Sequence, residues 1–141
     1  MTAAGIARAA LVVGLATAGS GCGGGDDDKP PPPADTERAA VVRVLADLQA
    51  ASRAGDGKRI CNGIFTVKLA NSITRSSKSG SCAKEVRRNL FSPQTRFTVE
   101  RVDFADASDA TATVTEQNGN TSKVFLVKQA GQWRIRGVQA A

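Results

Sequence analysis

The stretch KVFLVKQAGQWRI, residues 123–135, predicts the strand pairing around which the rest of the fold is organised. Its apolar run, VFLV, has no polar residue at either alternating position, which indicates a central strand. Ala130 and Gly131 then turn the chain, and Trp133 and Ile135 alternate with arginines in the next segment. That alternation is typical of a half-buried strand. We therefore expect an antiparallel hairpin here.

Two further strands are predicted before this hairpin, which gives a four-stranded antiparallel meander. Residues 96–104 alternate, but their apolar positions change phase near residues 100–101, which predicts a β-bulge or bend. The two phases are Phe97 with Val99, and Val102 with Phe104. Residues 110–115 alternate alanine or valine with threonine, the pattern of a half-buried strand with small inward residues. The sequence QNGN at 117–120 carries the Asn-Gly signal of a tight hairpin.

Three helices are predicted before the strands, so the fold class is α+β. We place them at residues 35–54, 56–71 and 82–91, with a polar loop over 72–81. Their apolar stripes are Val41, Val44, Leu45 and Leu48 in the first helix, Ile60, Ile64 and Val67 in the second, and Ala83, Val86 and Leu90 in the third.

Residues 1–21 predict a lipoprotein signal peptide. Their apolar run at 9–18 is shorter than the roughly 20 residues that span a bilayer as a helix. Small residues then lead into Cys22, a pattern that resembles the lipobox of bacterial lipoproteins, although Gly19 stands where that pattern prefers Leu. The resemblance implies that Cys22 is lipidated with diacylglycerol and palmitate, which anchors the protein on the extracytoplasmic side of the cell membrane. The alternative is an ordinary secretory signal cut near Ala18, which leaves Cys22 free.

Residues 22–34 hold the lipidated cysteine and a predicted tether, GGGDDDKPPPPA, in which no position can contribute to a hydrophobic core. Its glycines and aspartates favour a flexible, solvated chain, and its four prolines favour a stiff polyproline II rod. The single domain is then residues 35–141. The whole chain carries 19 Lys or Arg and 13 Asp or Glu, a net charge of +6. The domain alone carries 17 and 10, a net charge of +7.

Three stretches of this domain resemble the NTF2-like superfamily, and more narrowly its small bacterial lipoproteins. They are AASRAGDGKRIC at 50–61, SCAKEV at 81–86 and KVFLVKQAGQWRI at 123–135. The resemblance implies a cone, with three N-terminal helices packed on a curved four-stranded antiparallel sheet. The superfamily includes isomerases, dehydratases, transport factors and many members without known activity, so the fold does not define the function.

The chain has three cysteines, and lipidation of Cys22 leaves Cys61 and Cys82 as the remaining two. In an exported chain these two thiols can oxidise to a disulfide that closes the polar loop. The alternatives are two unrelated buried thiols, a metal site or a redox pair. A metal site is disfavoured because two cysteines without histidine make half a zinc site, and a redox pair because no CxxC motif exists. We predict the disulfide, no metal and no cofactor.

The chain has neither histidine nor tyrosine, which excludes Ser-His-Asp and Cys-His catalysis and any imidazole proton shuttle. Enzymes of the NTF2-like superfamily commonly place Asp, His and Tyr inside the cone, so two of those three residue types are missing. Glu100 or Asp103 could point into the cone, depending on the bulge. A lone carboxylate there would lack a Tyr or His partner to stabilise an oxyanion. We therefore predict that the protein is not an enzyme, and a carboxylate-only isomerase is the least favoured of the alternatives.

Five aromatic side chains are candidates to line a ligand cavity, and the alternative is that they simply fill the core: Phe65, Phe97, Phe104, Phe125 and Trp133. The small inward residues Ala110 and Ala112 would leave room for a ligand. The leading prediction is therefore a membrane-anchored, non-catalytic module that binds a small apolar ligand or an envelope protein.

Basic residues concentrate in the second and third predicted helices and the loop between them: Lys58, Arg59, Arg75, Lys78, Lys84, Arg87 and Arg88. On an outward face they could contact wall polymers or anionic lipid headgroups, or simply be solvated. The alternative function is therefore a structural or accessory envelope protein that acts through this basic face. Nucleic acid is not expected as a partner, because an exported lipoprotein rarely meets it.

Overall fold

The computed structural model describes residues 35–141, in which a helical layer precedes a β-sheet. The predicted signal peptide, Cys22 and the tether lie outside these residues. Four helices come first, and two of them continue into a π-helical turn: α1 (Asp35–Arg53), α2 (Gly57–Arg59) with the turn Ile60–Ile64, α3 (Val67–Ser76), and α4 (Cys82–Glu85) with the turn Val86–Leu90. The prediction of three helices was therefore wrong in number, whereas the α+β class is confirmed.

The four strands form one antiparallel meander in the order β1-β2-β3-β4, as predicted. They are β1 (Phe97–Phe104), β2 (Asp109–Glu116), β3 (Thr121–Gln129) and β4 (Gln132–Ala140). The sheet is open, with β1 and β4 as its edges. The Asn-Gly turn joins β2 to β3, and Gly119 has a φ of 84°, a conformation that glycine adopts without steric cost.

A bulge in β1 brings its large apolar side chains to one face of the sheet. The register shifts between Val99 and Arg101, so Glu100 is the extra residue. Apolar residues before and after the bulge therefore share a face: Phe97, Val99, Val102 and Phe104. The change of phase in the sequence is thus a bulge, as predicted.

The hydrophobic core lies between α1 and this face, which we call the inner face. Its buried residues from the four strands are Val102, Ala110, Ala112, Val114, Val124, Leu126, Trp133 and Ile135. From α1, Val41, Leu45 and Leu48 pack against them, and each is at most 1% exposed. Val44, the fourth residue of the predicted stripe, is half-buried. Full burial of one such side chain contributes about 1.5–3 kcal/mol, so this contact is a large source of hydrophobic stabilisation. Ile60, Ile64 and Val86 extend the same core.

The second predicted helix ends early because Phe65 joins the sheet. Phe65 is extended and forms a parallel bridge with Ile135 of β4, while the backbone N–H of Thr66 donates to the carbonyl of Ile135 at 2.8 Å. This contact joins residues about seventy positions apart, and it ends the helix at Ile64. Val67, which we expected on the buried stripe, is 71% exposed.

A separate helix, α3, occupies the first half of the segment predicted as a polar loop. Thr66 caps its N-terminus, because its Oγ1 accepts a hydrogen bond from the N–H of Leu69 at 3.2 Å. No residue of α3 is fully buried, although Leu69, Ala70 and Ile73 pack against the core. The predicted loop was wrong up to Ser76, because this small apolar face is enough to dock a helix.

α4 is fastened by a disulfide to the turn that follows α2, and by one hydrogen bond to α3. Cys61 and Cys82 form the predicted bridge, with their Cα atoms 6.2 Å apart. The N–H of Cys82 also donates to Oγ1 of Thr74, on α3, at 3.2 Å. The covalent tie thus joins two buried residues at the two ends of the segment that contains α3.

Side chains of α1 cover the free edge of β1. Gln49 makes a two-way contact with the backbone of Phe97, donating from Nε2 to its carbonyl at 3.1 Å and accepting from its N–H at 3.2 Å. Arg38 donates from Nη1 to the carbonyl of Val102 at 3.0 Å. These bonds satisfy polar groups that an edge strand would otherwise present for pairing with another chain.

The first turn of α1 is fixed to the β3–β4 hairpin by Glu37. Its carboxylate accepts from Nζ of Lys128 and from Nε1 of Trp133, each at 2.7 Å. The hydrogen bond from Lys128, and to a smaller extent that from Trp133, holds the pKa of Glu37 below its usual value of 4.5. The indole N–H of a buried tryptophan thus has a partner, as it needs inside a core.

Candidate functional site

Three of the five candidate aromatic residues are packed into contacts with other side chains. Phe65 is 2% exposed and meets Phe91, with ring centroids 6.3 Å apart. Trp133 is 5% exposed and meets the edge of Phe104, with centroids 5.7 Å apart. Their burial and their ring contacts are those of side chains that fill a core.

The other two candidates lie apart from this group. Phe97 is half-buried on the inner face, at the edge strand. Phe125 alternates with the buried Val124 and Leu126, so its ring lies on the opposite face, which we call the outer face. The structure therefore does not bring the five residues together around one cavity.

The two carboxylates considered for catalysis, Glu100 and Asp103, lie on the surface. The register places Asp103 on the outer face, where it accepts from Nε of Arg101 at 2.7 Å, and leaves Glu100 at the exposed bulge. Asp106 accepts from the backbone N–H of Ser108, its hydroxyl and the N–H of Asp109, at 2.7, 2.9 and 2.9 Å. These bonds, led by the backbone N–H of Ser108, lower the pKa of Asp106 below its usual 3.8, which suits a turn-forming group.

Three of the predicted basic residues converge in a surface pocket of about 320 Å³, which we call the basic pocket. They are Lys58 of α2, and Lys84 and Arg87 of α4 and its turn. Gly57 makes this convergence possible, because a Cβ there would overlap the backbone carbonyl of Ala83. Glycine therefore allows α2 and α4 to touch through their backbones and brings their cations together.

The basic pocket carries a net positive charge and is bordered by well-fixed backbone. Its lining has three cations and one carboxylate, that of Asp56, which caps α2 by accepting from the N–H of Arg59 at 3.0 Å. The Cys61–Cys82 disulfide links the turn that follows α2 to the first residue of α4. The two helices that hold the cations therefore cannot separate while the disulfide is intact.

The remaining predicted basic residues do not join this pocket. The guanidinium of Arg59 forms an ion pair with Asp47 of α1, with Nη2 and Oδ1 3.1 Å apart. Arg75, Lys78 and Arg88 are exposed on the helical layer outside the pocket lining. The sequence therefore indicated the correct region for the positive charge, but not which three cations meet.

Two features are absent from the described residues. Among residues 35–141, no group of three or more Cys, Asp or Glu side chains is arranged to hold a metal ion. In the same range, no helix has the length and apolar character needed to cross a membrane.

The chain is similar in structure to a solved NTF2-like protein of unknown function from Shewanella baltica OS155. The TM-score is 0.54, and the likeness covers 77% of this chain and 96% of that one, at 16% sequence identity. No family model and no curated protein matches the chain. The chain thus has an NTF2-like fold, as its sequence resemblance implied, and a fold at this level of identity does not carry an activity with it.

Proposed function

We propose that the protein is a lipid-anchored, extracytoplasmic binding module without catalytic activity, and that its basic pocket binds an anionic polymer of the cell envelope. The observation that carries the proposal is the meeting of Lys58, Lys84 and Arg87 in one pocket. Clustered cations on a fixed surface raise the local concentration of a polyanion and offer it several charged contacts at once. This is the accessory role that the sequence offers as its alternative function.

The packing of the inner face is the reason for preferring this role to an apolar ligand inside the cone. Leu45 of α1, Ala112 of β2, and Leu126 and Ile135 of β3 and β4 are all completely buried. A ligand between α1 and the sheet would have to displace such contacts, and opening a packed core costs several kcal/mol. A surface pocket requires no such rearrangement.

The position of the basic pocket favours a polymer over the headgroups of the anchoring membrane. The tether would join the domain at Asp35, the first residue of α1, whereas Gly55 lies in the pocket just beyond the last residue of α1. At 1.5 Å per residue, the 19 residues of α1 separate these two points by roughly 28 Å. The basic pocket therefore lies at the end of α1 opposite the point where the tether joins the domain, which suits a partner beyond the membrane surface.

The anchor itself rests on residues outside the described part of the chain and is supported by their sequence. Cys22 follows a short apolar run and precedes a tether rich in Gly, Asp and Pro. A transferred diacylglycerol supplies two acyl chains, and two chains hold a protein at a bilayer where one gives only marginal binding. Cys22→Ala should release the protein from isolated membranes into the soluble fraction. Unchanged retention would contradict the anchor without affecting the basic pocket.

Binding to poly(glycerol phosphate) tests the proposed partner. The full chain, purified in detergent, is titrated with this phosphodiester polymer and with vesicles of phosphatidylcholine and phosphatidylglycerol. The triple variant Lys58→Gln, Lys84→Gln, Arg87→Gln is compared with a charge-matched control, Arg43→Gln, Arg101→Gln, Lys123→Gln. A cation near an anionic surface contributes about 1 kcal/mol, so losing three should weaken polymer binding by roughly tenfold to a hundredfold.

The control fixes the interpretation of this experiment. The three cations changed in the control are exposed and lie outside the basic pocket. The control should therefore lose less affinity for the polymer than the pocket variant loses. Equal losses in the two triple variants would reduce the binding to net charge and contradict the pocket. Tighter binding to the vesicles than to the polymer would contradict the choice of partner.

A further inference from the structure

A second surface pocket, separate from the basic pocket, lies where α3 meets the β4 edge. It has a volume of about 420 Å³, and we call it the α3–β4 groove. α3 supplies Lys68, Leu69 and Ser72, and the sheet supplies Phe125, Arg136 and Gly137. The volume falls within the range of about 300–1,000 Å³ that small-molecule sites occupy.

A bulge in β4 creates the groove. Phe125 pairs with Gly137 and Leu126 pairs with Ile135, so Arg136 is the extra residue. The bulge directs the Arg136 side chain over the ring of Phe125, with its guanidinium carbon 5.8 Å from the ring centroid. Just beside the bulge, the N–H of Thr66 binds the Ile135 carbonyl and so starts α3 at the edge of the sheet. The outer face and α3 therefore form two walls of one groove.

Gly137 keeps the space beside Phe125 open although the fold does not require glycine there. A Cβ at this position would lie 3.8 Å from Cδ2 of Phe125, which is ordinary van der Waals contact. Glycine in a strand interior is otherwise unfavourable, because it loses backbone entropy and offers no side chain to pack. The space beside the Phe125 ring is thus left open by Gly137 alone. A larger residue at position 137 can fill this space without a change in the strand backbone.

The chemistry of the walls combines an apolar floor with two cations. Phe125 and Leu69 are half-buried and offer apolar surface, while Lys68 and Arg136 are exposed at the rim. Arg136 is fixed in place by Asp109, whose Oδ1 lies 2.6 Å from its Nη2. A planar guanidinium has five N–H donors, so Arg136 keeps donors for a second anion after it binds Asp109.

We propose that the α3–β4 groove binds a small amphiphilic anion, whose apolar ring lies against Phe125 and Leu69 and whose carboxylate or phosphate meets Arg136 and Lys68. Neither the apolar ring nor the anionic group of this ligand would be enough for binding alone. An exposed ion pair contributes little in water, and a half-buried ring offers only part of its surface. This site does not depend on the basic pocket, since the two share no residue.

The test is a titration of the full chain with 2-naphthoate, an aromatic carboxylate, followed by amide NMR shifts. The uncharged 2-naphthalenemethanol is the matched ligand. The naphthoate should shift the amides of residues 66–72, 125 and 136–137 in a saturable manner, and the alcohol should bind at least severalfold more weakly. Charge-assisted hydrogen bonds are roughly twice as strong as neutral ones, so Arg136→Gln and Lys68→Gln should each lower the naphthoate affinity by about threefold to tenfold.

Two variants separate binding from folding. Gly137→Val fills the groove and should abolish binding while the protein remains as stable as the parent or becomes more stable, because valine suits a strand better than glycine. Lys123→Gln removes an exposed cation outside the groove lining and should leave the affinity unchanged. Unchanged binding in Gly137→Val, equal affinity for the alcohol, or shifts confined to other residues would each overturn the proposal.

Discussion

The contact between α1 and the sheet is made by completely buried side chains, whereas α3 has no fully buried residue and adds ties at its ends to a small apolar face. The first contact depends on Val41, Leu45 and Leu48 against the inner face. The second depends on the Thr66 cap, the hydrogen bond to Thr74 and the nearby disulfide. We call α1 with the sheet the packed layer and α3 the tied layer, because specific ties support the small apolar face of α3. The α3–β4 groove borders the tied layer, where surface remains open.

The largest expected effect comes from opening the packed contact. Leu45→Ala should lower the free energy of unfolding by about 4 kcal/mol, because it deletes a completely buried side chain and leaves a cavity. The matched truncation on α3, Val67→Ala, removes a side chain that is 71% exposed and should change it by less than about 0.5 kcal/mol. Urea unfolding of both variants measures the difference. Similar losses would contradict the contrast between the two layers.

Removal of the Cys61–Cys82 disulfide should have the second largest effect on stability. The bridge joins residues 21 positions apart, and Cys61→Ala with Cys82→Ala should lower the free energy of unfolding by roughly 3 kcal/mol in the chain-entropy model. Urea unfolding of the double variant measures this loss. The same variant should weaken polymer binding at the basic pocket, because α2 and α4 are then free to separate. A double variant as stable as the parent would mean that packing alone holds the helical layer.

A single polar tie should have a smaller effect. Thr66→Ala removes the oxygen that accepts from the N–H of Leu69 and should cost about 1 kcal/mol, the usual value for an N-cap. Thr66→Ser keeps that oxygen and should recover most of the loss. Thermal unfolding of the two variants provides the comparison. If serine and alanine behave alike, the contribution of Thr66 comes from its burial and not from the cap.

The smallest effect concerns the polar tie on the packed layer. Because its pKa is lowered in the folded state, Glu37 stabilises the protein above its unfolded pKa, and this contribution is lost as the pH falls through its folded pKa. Stability should therefore decrease from about pH 5 downward, and Glu37→Gln should flatten that decrease. Unfolding midpoints from pH 6 to pH 3 test this. An identical pH profile in the variant would show that other carboxyl groups account for the decrease.

Much of the sheet could be predicted from sequence because its signals are local. The alternation on β2 and the phase change on β1 reflect neighbouring residues, and both features appear where expected. The β4 bulge has the same type of signal, since Trp133 and Ile135 are followed by Val138 at the other parity. The β4 bulge was not predicted from this signal, and without the bulge the α3–β4 groove could not be predicted either.

The helical layer was predicted less well because distant contacts decide it. The apolar pattern of Ile60, Ile64 and Val67 is that of one continuous helix. No neighbouring residue indicates that Phe65 pairs with Ile135 of β4 and so ends the helix. The basic pocket has the same difficulty. Its charges are visible in the sequence, but their convergence depends on the backbone contact between Gly57 and Ala83. Contacts of this kind cannot be read from a local pattern.

Native-state hydrogen exchange of the oxidised and reduced full chain tests most directly whether the two layers are held by different means. With the disulfide reduced, amide protection should fall strongly across residues 67–90, while the central positions of β2, β3 and β4 keep most of theirs. Equal loss of protection in both layers, or no loss in residues 67–90, would contradict the account.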